Sequence, residues 1–270
     1  MRTNPRPKPE AIGFYYPDDY GPYQGNRIDR TKGRRPSAIK TLIKRIIAGA
    51  FKFHSAILPP LIPGRLLEVG CASGAFLHEM ACQGWQVQGI EPSKKAARVA
   101  AELGYHVHVG TLNTASEPNH SFDLIVGWMV LEHLHDPIES LQKLREWAKP
   151  DAWLVLSIPN SAALEFRFFK QHWYALQLPN HLYHFTPQTV ERVLHSGGWK
   201  IEKVYHQRIL SNLVASMGYV LRGKGYARLG KRFIEFPKKA GVWPYVLYPI
   251  ACVLSIFGQT GRMTIWAKPK

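Results

Sequence analysis

Apolar positions change period along this chain, and the changes mark its elements. From Ser37 onward Ile39, Leu42, Ile43, Ile46, Ile47, Ala50 and Phe51 recur at helical spacing, with Lys40, Lys44 and Arg45 between them. This predicts an amphipathic, basic helix that either covers one side of a domain or meets a membrane or substrate. Beyond it, short apolar runs alternate with helix-period segments. Strands are expected at Arg65–Val69, Gln86–Ile90, His106–Val109, Phe122–Gly127 and Trp153–Ile158. Helices are expected from Gly74 to about Gln83, over Ser93–Leu103 and over Pro137–Ala148, where Pro137 suits a first turn. Such alternation predicts an α/β fold, a parallel sheet with crossover helices. Thr186 is placed to cap a helix running to His195, Gly197-Gly198 stops it, and Trp199–His206 reads as a sixth strand. Met263–Ala267 is a last strand that can return to pair with the sixth.

The segments outside this alternation differ in character. Met1–Arg35 is rich in Pro, Gly, Tyr and charge, with an aromatic island at Tyr15-Tyr16, and reads as an ordered arm preceded by a loose tail. Residues 209–261 are too many for a plain loop and should form a helical insertion. Within it, Ala240–Gly261 carries no charge and is just long enough to span a bilayer. If the last strand rejoins the same sheet, a single span is topologically excluded. Pro244, Pro249, Lys238-Lys239 and the interfacial residues Trp243, Tyr245 and Tyr248 fit a segment lying among lipid headgroups, or one packed on the domain or on a second copy. The chain therefore divides into an arm with its helix (1–57), a core (58–208), the insertion (209–261) and a final core strand (262–270).

With 270 residues and 46% hydrophobic composition, the chain can bury one α/β core carrying elaborations. Cys71, Cys82 and Cys252 are too few and too scattered for a disulfide framework or a zinc knot, so a reducing cytoplasm is expected. The first residues have no apolar stretch of the kind a secretory signal needs. The formal net charge of +16 suits nucleic acid, an anionic membrane or acidic substrates. Its clusters, at 27–45 and at 222–239, flank apolar sequence outside the predicted sheet, which is more typical of a membrane-facing surface than of a nucleic-acid groove.

Candidate chemistry begins at Leu66–Leu77, where a short apolar strand, a turn and a helix start follow one another. Gly70 and Gly74 let the backbone take φ > 0 and approach a nucleoside-bearing ligand closely. The second strand ends at Glu91, where a carboxylate can accept from ribose hydroxyls. Gly70-Cys71-Ala72-Ser73-Gly74 lacks the G-x-G-x-x-G pattern, so the turn offers room for a nucleoside and little for a pyrophosphate.

The ordered set Leu67-Glu68-Val69-Gly70-Cys71-Ala72-Ser73-Gly74, then Glu91, then Ser121-Phe122-Asp123-Leu124-Ile125 leading to Val130-Leu131-Glu132-His133-Leu134, then Leu156-Ser157-Ile158-Pro159-Asn160 resembles the class I S-adenosylmethionine-dependent methyltransferases. It is most similar to the type 11/type 23 group that includes the ubiquinone-biosynthesis O-methyltransferases. Asn4-Pro5-Arg6-Pro7 followed by Tyr15-Tyr16 also resembles the arm of members associated with surface-polysaccharide gene clusters. The resemblance implies a Rossmann-like, seven-stranded, mostly parallel sheet with helices on both faces and a reversed last strand.

It also implies S-adenosylmethionine as cofactor. Glu68, Gly70, Cys71, Ala72 and Gly74 would shape the methionine pocket, Glu91 would hold the ribose, and Leu112 would lie by the adenine. Thr111-Leu112-Asn113 lacks the acidic residue of many relatives, and Asn113 can stand in as acceptor. Trp128 and Met129 would border the transferred methyl. His133 is the first candidate base, or else a structural partner of its loop; His181 and then His184 follow it, in a loop that faces the acceptor in these relatives. Ubiquinone-type relatives can use a divalent metal bound by carboxylates and a histidine near the fourth strand, but only Glu132 and His133 remain here, Met129 stands where a further Glu is expected, and no metal site is anticipated. The acceptor expected is a small molecule, lipid-like or lipid-linked glycan, with peripheral contact to an anionic membrane. The rival readings are a nucleic-acid methyltransferase, which would carry an Asn-Pro-Pro-Tyr-like motif absent here, and a non-catalytic binding protein of the same fold.

Overall fold

The computed structural model describes residues 1–15, 57–117, 120–239 and 243–270. The basic helix expected from Ser37 to Phe51 lies outside the described residues. The sheet is built from β1 (Arg65–Val69), β2 (Gln86–Glu91), β3 (His106–Val109), β4 (Phe122–Trp128), β5 (Ala148–Pro159), β6 (Trp199–His206) and β7 (Arg262–Pro269). Their order is β3-β2-β1-β4-β5-β7-β6. The pairs from β3 to β5 are parallel, and β7 runs antiparallel to both β5 and β6. The seventh strand thus rejoins the sheet beside the sixth, so the insertion leaves and re-enters one sheet.

Alternation along the central strands explains why helices cover both faces. Leu67 and Val69 of β1, Ile125 of β4 and Leu154, Leu156 and Ile158 of β5 share one core; Leu66, Leu124, Val126 and Val155 share the other. Each such leucine or isoleucine contributes about 1.5–3 kcal/mol by leaving water. α1 (Ala75–Ala81) and α2 (Lys94–Glu102) follow β1 and β2. Leu77 and Met80 of α1 enter the second core. α3 (Pro137–Trp147) and α5 (Pro187–Ser196) close the first core with Leu141, Leu144, Val190 and Leu194; α4 (Leu164–Phe169) lies between them in sequence. The buried Trp199 indole ties β6 to α3, donating to the Leu141 carbonyl at 2.9 Å.

The helix caps follow the sequence. Ser93 accepts from the Ala96 N–H at the start of α2, Asp136 from the Glu139 N–H at the start of α3, and Thr186 and Thr189 form a reciprocal capping box at the start of α5. Strand β5 begins at Ala148, earlier than the expected Trp153, because its first residues pair with Phe122 before a bulge.

The first residues correct one expectation. In place of a loose tail, Arg2 bridges to Tyr183, the Thr3 N–H donates to the Leu182 carbonyl at 2.9 Å, and the Thr3 hydroxyl donates to the His181 carbonyl at 2.6 Å. Arg6 reaches the His135 carbonyl and the Tyr183 hydroxyl. Backbone groups of the 181–184 loop thereby gain partners that composition alone did not reveal.

The insertion is helical, as expected. It comprises α6 (Ser211–Gly223), α7 (Ala227–Ile234), α8 (Phe236–Lys239), α9 (Trp243–Val246) and α10 (Tyr248–Ile256). Among the described residues no helix is long and apolar enough to cross a membrane.

Candidate active site

The carboxyl ends of the parallel strands gather the candidate residues. After β1 the chain turns through Gly70 at φ 73°, Ala72 at φ 47° and Gly74 at φ 78°. The Gly70 N–H donates to the Ile90 carbonyl at 2.8 Å, which joins this turn to the end of β2. A Cβ on Gly70 would stand 2.8 Å from the Val130 side chain, and one on Gly74 would stand 2.8 Å from the Ala100 Cβ. Both glycines are therefore required by close approach as well as by φ.

Glu91 is buried at the tip of β2, its two carboxylate oxygens accepting from the Ala72 N–H at 2.9 Å and the Ser93 N–H at 2.8 Å. Burial raises its pKa, and these two backbone donors pull in the opposite direction. A carboxylate holds several lone pairs, so hydroxyl donors can still add to it. Glu68 is buried beside it, with one oxygen unpartnered; burial, then the Glu91 charge, holds its pKa well above the carboxylate range. Cys71 is buried, and desolvation with the two neighbouring acids pushes its thiol upward, so it stays protonated. Cys71, Cys82 and Cys252 are all free thiols.

Leu112 is buried in the first core, while Asn113 is exposed and its carbonyl receives the Lys143 ammonium at 3.1 Å. Trp128 ends β4 with its ring edge-on to Phe76, centroids 5.2 Å apart, and its indole N–H is buried without a partner. Met129 follows at φ 58°, a conformation L residues seldom adopt, pinned by its N–H to the Ser157 carbonyl at 2.8 Å. Periodicity gave no sign of this strained corner.

Just beyond it, a single turn at Leu131–His133 presents His133. Its Nδ1 lies 2.9 Å from the Asn180 carbonyl, which can only accept, so Nδ1 carries the proton and Nε2 the lone pair. His181 has the same arrangement, with Nδ1 2.8 Å from the Ala175 carbonyl. The two rings meet edge to face, centroids 4.6 Å apart. Burial drives the His133 pKa down to about 4, partly offset by the Asn180 carbonyl. His181 falls well below its usual value through burial and then the neighbouring His133. Both imidazoles are neutral at physiological pH. His184 stands further off, 6.3 Å from His181 between ring centroids, with its Nδ1 buried and unpartnered.

The sequence reading named Glu132 but missed Glu165 and Arg262, the other buried charged groups near this pair. Glu132 is fully buried, neither carboxyl oxygen has a hydrogen-bond partner, and burial pushes its pKa up to about 8 against the pull of Arg262. Glu165 is likewise buried and raised to about 7, although the Trp173 indole N–H donates to it at 3.3 Å. Arg262 heads β7 and donates to the Asn212 amide oxygen at 3.2 Å; burial lowers its pKa, against the pull of Tyr174, Glu165 and Glu132. A lone acid among Phe166, Phe168 and Phe169, and an arginine opening an apolar strand, were the available signals.

Glu132, His133 and His181 offer ligand atoms that all lie within 4.8 Å of one another, the one such group among the described residues. The sequence counted only the first two; folding adds His181 as a third donor. Their types and spacing fit a divalent cation, which there would lower the pKa of a bound hydroxyl.

Comparisons with known proteins agree with this geometry. A family model described as a methyltransferase domain matches residues 35–204, more than half of the chain. A ubiquinone biosynthesis O-methyltransferase of Nitrosospira multiformis is 34% identical over 102 residues, covering 35% of this chain and 43% of that protein. The chain therefore matches less than half the length of this curated relative. An S-adenosylmethionine-dependent methyltransferase from Mesorhizobium loti superposes with a TM-score of 0.51 at 16% identity, over 78% of this chain and 93% of that one. The cyclase SpnF superposes with a TM-score of 0.52 at 15% identity, over 84% and 80%. Identities this low speak for the fold alone, and the cyclase shows that the fold serves more than one chemistry. With the glycine turn and the Glu91 tip inside the matched stretch and the reversed seventh strand completing the sheet, the chain belongs to the class I S-adenosylmethionine-dependent methyltransferases.

Proposed function

We propose that this methyltransferase acts on a hydroxyl of a small-molecule, lipid-like or lipid-linked glycan acceptor, with His133 as the base and His181 beside it at the acceptor. The observation that carries the reading is the His133–His181 pair: two neutral imidazoles, each with Nδ1–H directed to a backbone carbonyl, at the strand ends that also hold Gly70 and Glu91. S-adenosylmethionine supplies a methyl on a positively charged sulfonium, which leaves as a neutral thioether when the acceptor oxygen displaces it.

The protein's part is placement and proton removal. Glu91 would hold the ribose, the Gly70–Gly74 turn would make room for the methionine end, and Trp128 and Met129 would border the transferred methyl, the kind of placement that methyl displacement requires. The acceptor proton passes to Nε2 of His133 as the carbon–oxygen bond forms. Desolvation makes His133 a weak base, so its role is to accept a proton already loosened by bond formation. Glu132, raised to about 8 by burial, is largely protonated near pH 7 and adds little charge beside the two imidazoles.

Incubating the protein with radiolabelled donor and a cell-envelope lipid extract tests the reading directly. Label should enter the lipid fraction, and His133→Ala should slow its entry roughly a hundredfold or more. Label entering only RNA or DNA added in parallel would transfer the assignment to a nucleic-acid methyltransferase, with the steep salt dependence that backbone binding brings. No label in any fraction, with donor binding intact, would favour a non-catalytic role.

A further inference from the structure

We infer that the insertion between β6 and β7 docks the protein on an anionic lipid surface, through an apolar stripe on α9 and α10 and the basic helix α7 that precedes them. Residues 209–261 lie outside the stretch matched by the family model. Trp243, Val246, Ile250, Val253 and Phe257 follow one another at steps of three and four residues, with Ile256 alongside, and all are exposed. That spacing places them on one helical face. Ile256 and Phe257 keep 77% and 71% of their surface in solvent. The opposite face is anchored: Ala251 is buried, the Ser255 hydroxyl donates to the His206 carbonyl at 2.7 Å, and the Tyr248 hydroxyl accepts from Arg208 at 3.0 Å. A helix buried on one side and apolar on its outer side calls for a partner there.

Charge decides which partner. Lys224, Arg228, Lys231 and Arg232 are exposed on and beside α7, and Glu235 is the single acid of residues 209–261. A second copy would bring the same positive charge against this one, whereas anionic headgroups neutralise it. Trp243 and Tyr245 suit the headgroup level. From Trp243 to Ile256 the helices rise roughly 20 Å, short of the ~30 Å hydrocarbon layer. The segment therefore lies along the surface. Its placement serves the active site: the Asn160 side chain just past the carboxyl end of β5 donates to the Gly258 and Thr260 carbonyls at 3.0 and 3.1 Å, so the loop after α10 is tied to the side of the sheet on which the parallel strands end, as β2 does at Glu91 and β4 before His133. The inference holds whatever the acceptor is.

Vesicle flotation of the full chain tests it. The protein should float with vesicles of phosphatidylglycerol and phosphatidylcholine and far less with phosphatidylcholine alone. Replacing Ile250→Ser together with Phe257→Ser should cut partitioning roughly tenfold or more, while Lys231→Ser with Arg232→Ser should remove the preference for anionic lipid and its sensitivity to salt. Calorimetric binding of S-adenosylhomocysteine, unchanged in these exposed variants, shows that they fold. Absence of flotation, flotation unaffected by the apolar pair, or a dimer that the apolar pair dissociates in a protein that ignores vesicles would overturn the inference. None of these results touches the methyl-transfer reading, which is judged by labelling.

Discussion

The imidazole of His133 meets that of His181 edge to face, ring centroids 4.6 Å apart, although one residue follows the fourth strand and the other sits in the loop before α5. Each ring has its Nδ1 proton fixed by a carbonyl, so the pair presents Nε2 lone pairs from a desolvated position. A base so buried has an acid limb far below that of an ordinary histidine. The kcat/KM profile for methyl transfer should hold level down through pH 6.5 and fall only near pH 4. His133→Ala should lower kcat roughly a hundredfold or more and leave donor affinity unchanged. An acid limb centred near 6.5 would remove His133 from the role of base.

Glu91 supports two backbone N–H groups as well as the expected ribose. Glu91→Gln keeps the size but loses a charged acceptor, a change worth about 1.5–3 kcal/mol for hydrogen bonds to a charged group. Calorimetry should show S-adenosylmethionine binding weakened by about ten- to a hundredfold. Equal affinity in the variant would place the ribose elsewhere.

Two glycines separate crowding from backbone strain. Gly74 has φ 78° and Ala100 within 2.8 Å of a would-be Cβ, whereas Gly104 has φ 91° and nothing within 4 Å. Gly104→Ala should cost about 1–2 kcal/mol of stability from φ alone, with donor binding kept. Gly74→Ala should cost more in denaturant titration and weaken donor binding. A smaller loss at Gly74 than at Gly104 would contradict the packing described.

Glu165 sets a pH dependence of stability. Its folded pKa of about 7 lies above the ordinary value of 4.5, so the folded state binds more protons between these values. The stabilisation is fully present below 4.5 and is lost as pH rises through 7, on the order of 3 kcal/mol in all. Thermal melts of the wild type and Glu165→Gln should therefore converge or cross as pH rises, the wild type losing ground. Parallel curves across this window would show that Glu165 is ionised in both states.

Chelation separates the two uses of Glu132, His133 and His181. With His133 as base, exhaustive dialysis against EDTA should leave methyl transfer intact. A loss restored by Mg2+ or Zn2+ would assign the three groups to a metal.

Much of the core was legible because its strands are short and buried on both faces. Runs such as Leu66-Leu67 and Leu124-Ile125 split between two cores, and their apolarity has no other reading between turn residues. The caps at Ser93, Asp136 and Thr186 are local and equally plain. The site was legible only where function needs a local signature, as at Gly70, Gly74 and Glu91. Glu165 and Arg262 escaped notice because a charge is read from sequence as a solvated group, and only packing from several elements makes it a buried one.

The sequence by itself determined the order of strands and helices, the glycine turn and the acid at the tip of β2, since these rest on the period of neighbouring residues and on single φ requirements. Only the tertiary structure decided that His181 joins His133, that the first residues seal the histidine loop, and that the insertion keeps one apolar face in the open. Those outcomes depend on which surfaces meet when distant segments pack, and the energy of such a meeting is written in no local stretch of the chain.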